Sequence, residues 1–334
     1  MTIEKIRLSV GSASVLELGS LPRFKYPPTT CYLMTFREGH CLANCSFCPQ
    51  ARSSKSSIEK LSRVNWPIFS FKDFLTKLKY LPSSKKFERI CIQTLNYPEN
   101  FNDLIEIITQ IKRIIDIPIS VAIPPMSKEK LKELKNRGVQ RVGIALDGAT
   151  PEIFEIIKGK NVEGPYKWEE HLQKLKEALE IFTPGFVSTH IIVGLNETEK
   201  NVIQLIEELF NLGIIVSLFA FTPIKGTRFE NKQQPSITNY RKIQLGRFLI
   251  YNRRKKLKDF TFNTRGEIIN ININKKELKI LIDETDSFLT SGCPGCNRPY
   301  YTSKPSGPIY NYPSSLTDKQ KEEIYELLNK FVNK

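Results

Sequence analysis

The chain has 334 residues, 40% of them apolar and 25% charged, and its 50 Lys and Arg against 35 Asp and Glu give a net charge of +15. This supports one large core with a modest appendage and excludes disorder or a repeat-built fibre as a description of the whole. No apolar run approaches the roughly 20 residues that cross a bilayer. Charges interrupt the first residues where a secretory signal carries an apolar segment, so a cytoplasmic protein with no membrane association is expected.

In chain order, residues 29–36 read as a strand, followed by a long cysteine-bearing loop to Arg63. Residues 69–81 have helical spacing, 89–95 form the second strand, and 100–115 carry Leu104, Ile107, Ile108 and Ile111 on one helical face. Residues 117–123 are the third strand, and Ser127 caps a Lys-rich helix ending near Gly138. A strand at 141–147, a helix at 168–182, a strand at 186–194, a helix at 198–212 and a strand at 214–221 follow. Strands separated by helices predict a parallel sheet, and six such units predict an α/β barrel, partial or complete, of the TIM type. Beyond Thr227 the alternation stops: 239–254 is a basic helix, 260–273 one or two strands, 291–313 a loop with five prolines, and 317–332 a helix capped by Thr317. The expected organisation is an N-terminal segment at 1–28, a barrel core at 29–227 and a C-terminal region at 228–334.

Seven cysteines, an odd number, sit in a chain whose expected compartment keeps thiols reduced. Cys41, Cys45 and Cys48 have C-x3-C-x2-C spacing. Three thiolates on a short loop can occupy three corners of a [4Fe–4S] cube and leave one iron open. An open iron can chelate the amino and carboxylate groups of S-adenosylmethionine, and reduction then cleaves the sulfonium to a 5′-deoxyadenosyl radical. The competing reading is a zinc site completed by His40. Cys293 and Cys296 form a C-x2-C pair, a spacing that lets both thiolates bind one cluster. Cys31 and Cys91 fall on the first two strands, where each alone reads as a buried structural thiol.

The first cysteine group, with Phe47 just before its last cysteine and its place after the first strand of a βα barrel, resembles the radical SAM superfamily. The resemblance implies that Phe47 packs near the cofactor's adenine. It also implies that Asp147, ending the fourth strand, holds the ribose hydroxyls; the alternative is a cap for the next helix. Thr94 would meet the methionine end, in a second strand where Gln93-Thr94-Leu95 replaces the Gly-Gly-Glu signature of many members. The run from His190 to Glu197 resembles the fifth-strand motif G-x-I-x-G-x-x-E and assigns Ile192, Gly194 and Glu197 to the cofactor. His190 replaces the motif's first glycine, and either enters the site or is an ordinary barrel residue.

Within the superfamily, Cys48-Pro49-Gln50, Leu146-Asp147, Thr150-Pro151, Val193-Gly194-Leu195-Asn196-Glu197-Thr198 and Pro223 to Thr227 resemble biotin and lipoyl synthases. Those enzymes insert sulfur at unactivated carbons and draw it from a second Fe–S cluster. Biotin synthases hold that cluster with cysteines of the second, third and fifth strands. Cys91 matches the first, but the third strand has no cysteine, the fifth-strand position is Ser188, and Ala145 replaces the asparagine two residues before the ribose-binding aspartate. Cys31, Cys91, Cys293 and Cys296 would serve instead. With Leu61 to Pro67 and Gly307 to Pro313, this pattern resembles a component of the archaeal-type two-component lipoyl synthase.

That resemblance implies sulfur insertion into a protein-bound octanoyl chain, with two [4Fe–4S] clusters and S-adenosylmethionine as cofactors. Its expected partners are an octanoylated lipoyl carrier protein, a homologous second component and an electron donor. Four thiolates leave no open iron in the second cluster, so one ligand is released as sulfur is withdrawn, with Ser188, Ser291 and Arg298 as candidates to assist. A +15 chain also suits encounter with an acidic carrier domain. The alternatives are sulfur insertion into dethiobiotin and a non-catalytic Fe–S or nucleic-acid-binding protein. The last is prompted by the charge and by Arg253-Arg254-Lys255-Lys256, but no aromatic-interleaved nucleic-acid motif accompanies that run.

Overall fold

Ser70, Ser127, Thr150, Thr198 and Thr317 each accept a backbone N–H at the start of a helix, so these helix starts follow from hydroxyl capping. The computed structural model describes residues 3–333; Met1, Thr2 and Lys334, at the ends of the expected terminal regions, lie outside the described residues. In chain order come β1 (Lys5–Leu8), α1 (Val10–Val15), β2 (Thr30–Thr35), a small hairpin of β3 (Lys60–Leu61) and β4 (Val64–Asn65), β5 (Ile68–Ser70) and α2 (Phe71–Lys79). The alternating core continues through β6 (Arg89–Gln93), α3 (Asn100–Ile114), β7 (Ile119–Ala122), α4 (Lys128–Asn136), β8 (Val139–Gly143), α5 (Pro151–Ile157), α6 (Trp168–Phe182), β9 (Val187–Val193), α7 (Glu199–Asn211) and β10 (Ile215–Ala220). The C-terminal region adds α8 (Ile237–Arg253), β11 (Phe260–Phe262), β12 (Ile268–Asn274), α9 (Lys275–Glu284), α10 (Asp318–Leu328) and β13 (Val332–Asn333).

The main sheet has eight strands in the order β10-β9-β8-β7-β6-β2-β1-β5. The six strands from β2 to β10 are mutually parallel, and β1 is antiparallel to both β2 and β5. The sheet has two ends, so the barrel is partial. Its outer face is covered by helices, and Leu104, Ile107, Ile108 and Ile111 of α3 are buried there. The inner face carries Tyr32, Cys91, Ser120, Arg141, Ser188 and Ser217, one from each parallel strand, all bordering one cavity. Strand alternation therefore sends the neighbouring residues Cys31, Ile90 and Val216 to the helix side.

The exposed edge of β10 is capped by side chains rather than by a further strand. Val216 N–H donates to Tyr251 Oη (3.0 Å) and Arg247 Nε donates to Val216 O (2.6 Å). Leu218 N–H donates to Ser291 Oγ (2.9 Å), and Asn311 Nδ2 donates to Leu218 O (3.2 Å).

Three elements differ from expectation. β8 ends at Gly143, and Asp147 keeps only an isolated bridge to Ile191, with φ of 64°. α5 is additional; its Thr150 cap and Pro151 at the first turn are a start signal, and the cap belongs to Thr150, not Asp147. α9 follows β12 without a linker because Asn274 both ends the strand and caps the helix.

Candidate active site

The inner cavity encloses about 200 Å3. Cys48 and Phe47 border it from the loop after β2, at the C-terminal ends of the parallel strands, where βα enzymes place their chemistry. Asn44 and Gln50 shape that loop. Asn44 Nδ2 donates to Val162 O (2.7 Å), and its Oδ1 accepts Ser53 N–H (3.0 Å). Gln50 Nε2 donates to Lys60 O (2.6 Å), and Cys41 N–H donates to Gln50 O (2.9 Å).

The loop brings its three thiols together. Burial pushes the Cys45 thiol up to about 12. Burial also raises Cys48 well above an ordinary thiol, and the Cys45 and Cys41 sulfurs push it further the same way. Thiols that oppose each other's ionisation need a cation to become thiolates together. Among the described residues no group of three or more His, Cys, Asp and Glu side chains is drawn tightly enough around one point to hold a single metal ion. A cube-shaped cluster instead needs thiolates spread around several irons, and three thiols on one loop fit it.

The other expected cofactor residues divide. Asp147 borders the cavity and pairs with Lys158 Nζ at 2.8 Å; both side chains are nearly buried, and Lys158 also donates to Ala145 O (2.8 Å). Ile192 and His190 also border the cavity. Burial, then Arg298, lower the His190 pKa to about 4, so its imidazole is neutral. Thr94 is not among the lining residues; its hydroxyl donates to Ala122 O (3.0 Å). Glu197 does not line the cavity either. It accepts the N–H groups of Gly194 (2.5 Å) and Leu195 (2.7 Å) and so holds the turn after β9.

Gly194 has φ of 107°, and a Cβ there would lie 2.8 Å from Pro235 Cδ. Gly194→Ala is therefore expected to cost about 1–3 kcal/mol, measurable by urea denaturation. Unchanged stability would show that the turn relaxes.

At the N-terminal ends of the strands lies a second thiol group. Cys91, Cys293 and Cys296 all border the cavity. Burial raises the Cys91 thiol, and Cys293 and Cys296 raise it further. Tyr32 Oη lies 3.2 Å from Cys296 Sγ, Ser120 Oγ 3.6 Å from Cys293 Sγ, and Gln93 Nε2 donates to Cys91 Sγ (3.1 Å). The serines at 120 and 188 face inward on the third and fifth parallel strands, and the C-terminal loop supplies thiols that these strands lack.

Cys31 does not join them. Parallel register pairs Tyr32, not Cys31, with Cys91, so Cys31 faces the helices; it is fully buried against Ser12 and its thiol is raised by burial. The expected set of four thiols is thereby corrected to three at this cavity, Cys91, Cys293 and Cys296. Ser291 is engaged with the β10 edge and Ser188 with Val142 O (3.4 Å).

Arg298 reaches this group from the same loop. Burial alone would lower its guanidinium, but Cys296, Tyr32, Cys293 and Cys91 overcome that and raise it. The guanidinium lies 4.1 Å from the Phe219 ring centroid. The Nε atoms of Arg298, Arg141 and Arg89 are buried without a hydrogen-bond partner. Sequence reasoning missed Lys158, Tyr32 and Arg141, which stand in no recognisable motif, and gave no role to Gln93, which stands where many members carry the Gly-Gly-Glu signature.

The radical SAM superfamily profile matches residues 39–209, just over half the chain. A biotin synthase of Methanococcus aeolicus is 26% identical over 200 residues, covering 59% of this chain and 57% of the relative. A biotin synthase of Persephonella marina is 24% identical over 208 residues, covering 61% and 58%. The chain thus matches less than two-thirds of these relatives' length. Among solved structures, methylornithine synthase superposes with a TM-score of 0.53 at 16% identity, covering 68% of this chain and 63% of the other. The FeFe-hydrogenase maturase HydG of Carboxydothermus hydrogenoformans gives 0.50 at 22% identity, covering 64% and 49%. These structural likenesses are of fold. No helix among the described residues is long and apolar enough to cross a membrane. A three-cysteine loop after the first parallel strand of a partial βα barrel, within a profile match over half the sequence, makes this chain a member of the radical SAM superfamily.

Proposed function

We propose that the protein inserts sulfur into an unactivated C–H bond of an octanoyl chain on a lipoyl carrier protein, as one component of a two-protein lipoyl synthase. The observation that carries this reading is that two thiol groups border one cavity, Cys48 from the C-terminal ends of the strands and Cys91, Cys293 and Cys296 from their other ends. A cluster on Cys41, Cys45 and Cys48 with S-adenosylmethionine supplies, when bound, a hydrogen-abstracting 5′-deoxyadenosyl radical, and a second cluster on the other group supplies sulfur.

The chain's own residues prepare the reaction. Asp147, held by Lys158, is placed for the ribose hydroxyls, and Phe47 for the adenine. Trp66, Ile192, Phe219 and Tyr301 give the cavity an apolar wall that suits an alkyl chain and excludes water from a radical. Neutral His190 adds no charge to it. An electron donor and a homologous second component complete the proposed set of partners.

Sulfur insertion into dethiobiotin is the second reading, supported by relatives that bear the name biotin synthase. The test is anaerobic turnover with a reductant and S-adenosylmethionine, supplying an octanoylated carrier domain or dethiobiotin and reading thiolated product by mass spectrometry. Thiolation of the carrier alone is the expected result. Thiolation of dethiobiotin alone transfers the assignment, and cofactor cleavage with neither product removes both.

A further inference from the structure

A second cavity, of about 660 Å3, meets the Cys293–Cys296 loop from behind. Thr29 and Glu88 border it and stand immediately before β2 and β6, which places it at the N-terminal ends of the strands, away from Asp147 and the Cys41–Cys48 loop. The partition between the two cavities is the chain from Ser291 to Asn297. It is pinned on one side by the Leu218 N–H to Ser291 Oγ bond (2.9 Å) and on the other by Thr29 N–H to Asn297 Oδ1 (3.1 Å) and Thr30 Oγ1 to Gly295 O (3.2 Å). Cys293 and Cys296 border both cavities, whereas Cys91 and Cys48 border only the inner one.

We propose that this cavity is a rear port through which iron(II) and hydrosulfide reach the second thiol group without crossing the cofactor end. The inference rests on the reading that Cys91, Cys293 and Cys296 hold a cluster consumed as a sulfur source. A cluster that gives up sulfur has to be refilled, and refilling moves strongly hydrated ions. The inner cavity is small, Trp66, Phe219 and Tyr301 wall it, and its charged groups are already engaged, Asp147 by Lys158, Arg141 by Gly185 O and Arg298 by Ser291 O, so an ion passing there loses hydration with little in return. The rear cavity offers Glu88 and Asp286 for a cation and Arg247 for an anion. Glu88, Asn252 and Asp286 are exposed, so its mouth meets solvent.

Two glycines keep the partition thin. Gly292 and Gly295 have φ of 133° and 73°, backbone that other residues rarely adopt. A side chain at 295 would also run into Glu88. Small residues here leave the sulfurs of Cys293 and Cys296 within reach from behind.

The test plugs the mouth with Asn252→Trp, an exposed lining position on α8 whose side chain bonds Phe248 O and no thiol, and uses Asn252→Ala as the control for folding. Anaerobic holoprotein is exposed to EDTA and then to sulfide with equal amounts of iron(II) and iron(III), the mixture a [4Fe–4S]2+ core contains, and loss and refilling of each cluster are followed by iron content and, after reduction, by electron paramagnetic resonance. Asn252→Trp is expected to slow loss and refilling of the second cluster by about tenfold, the factor that about 1.4 kcal/mol of added barrier produces. The first cluster should keep its rates in every variant, and saturating S-adenosylmethionine should not slow the second. Apoprotein labelled with iodoacetamide and mapped by mass spectrometry should show the same selectivity, with Cys296 slowed and Cys48 unchanged. Equal rates in Asn252→Trp, Asn252→Ala and the parent overturn the port, as does slowing of second-cluster refilling by S-adenosylmethionine. Wild-type holoprotein holding a single cluster would instead overturn the two-cluster reading, while the labelling result would still decide whether the rear cavity is the route to Cys296.

Discussion

Alanine at Cys41, Cys45 and Cys48 together should abolish 5′-deoxyadenosine formation and remove about four irons per chain, the content of one cube. The loop should survive the change. Its shape is set by backbone bonds such as Cys41 N–H to Gln50 O (2.9 Å) and Cys48 N–H to Cys45 O (3.1 Å), and by the Asn44 side chain, none of which uses a thiol. Loss of product therefore reports lost ligation rather than a collapsed site, and circular dichroism of the variant provides the control. Chromatography of the reaction after reduction in the presence of S-adenosylmethionine reads the result directly. Reductive cleavage persisting in the triple variant would place the cluster elsewhere.

The second large effect separates Cys31 from the thiols it was expected to join. Cys293→Ala with Cys296→Ala should lower iron from about eight to about four per chain, block sulfur insertion and spare cofactor cleavage. Among the described residues the first thiol group shares no hydrogen bond with the C-terminal loop. Cys31→Ala should keep the full iron content and cost on the order of 1 kcal/mol, as an ordinary buried replacement does, because Cys31 lies against Ser12 on the helix side of β2. Retained iron and sulfur insertion in the double variant would make the C-terminal pair merely structural. Loss of the second cluster in Cys31→Ala would refute the placement of that thiol.

Much of this architecture was legible in the sequence, for physical reasons. The six parallel strands announced themselves as β-rich runs between amphipathic helices, and Ser127 and Thr317 marked helix starts by their hydroxyls. The grouping of Cys41, Cys45 and Cys48 was legible because their spacing is local. Cys31 was misplaced because its facing depends on the register of β2 against β6. One residue of shift exchanges the two faces of a strand, and nothing within either strand states the register. Asp147 borders the cavity, beyond a strand that ends four residues earlier than expected, and its partner Lys158 lies on the far side of α5, a helix not anticipated although Thr150-Pro151 signals its start. Glu197 was found by motif and given to the cofactor, whereas its carboxylate holds backbone N–H groups of the neighbouring turn.

The side chains that cap β10 have a consequence for handling the protein. Tyr251, Arg247, Ser291 and Asn311 occupy the donors and acceptors that an added strand would use, and two of the four belong to the segment that carries Cys293 and Cys296. A chain cut after α9 would not merely lack two thiols. It would leave the N–H and C=O of Leu218 open on the strand edge while Tyr251 and Arg247 still cap Val216, a partial template on which another molecule can build. Anything that loosens the 291–313 segment, which the Ser291 and Asn311 side chains tie to Leu218, has the same effect on that stretch of the edge.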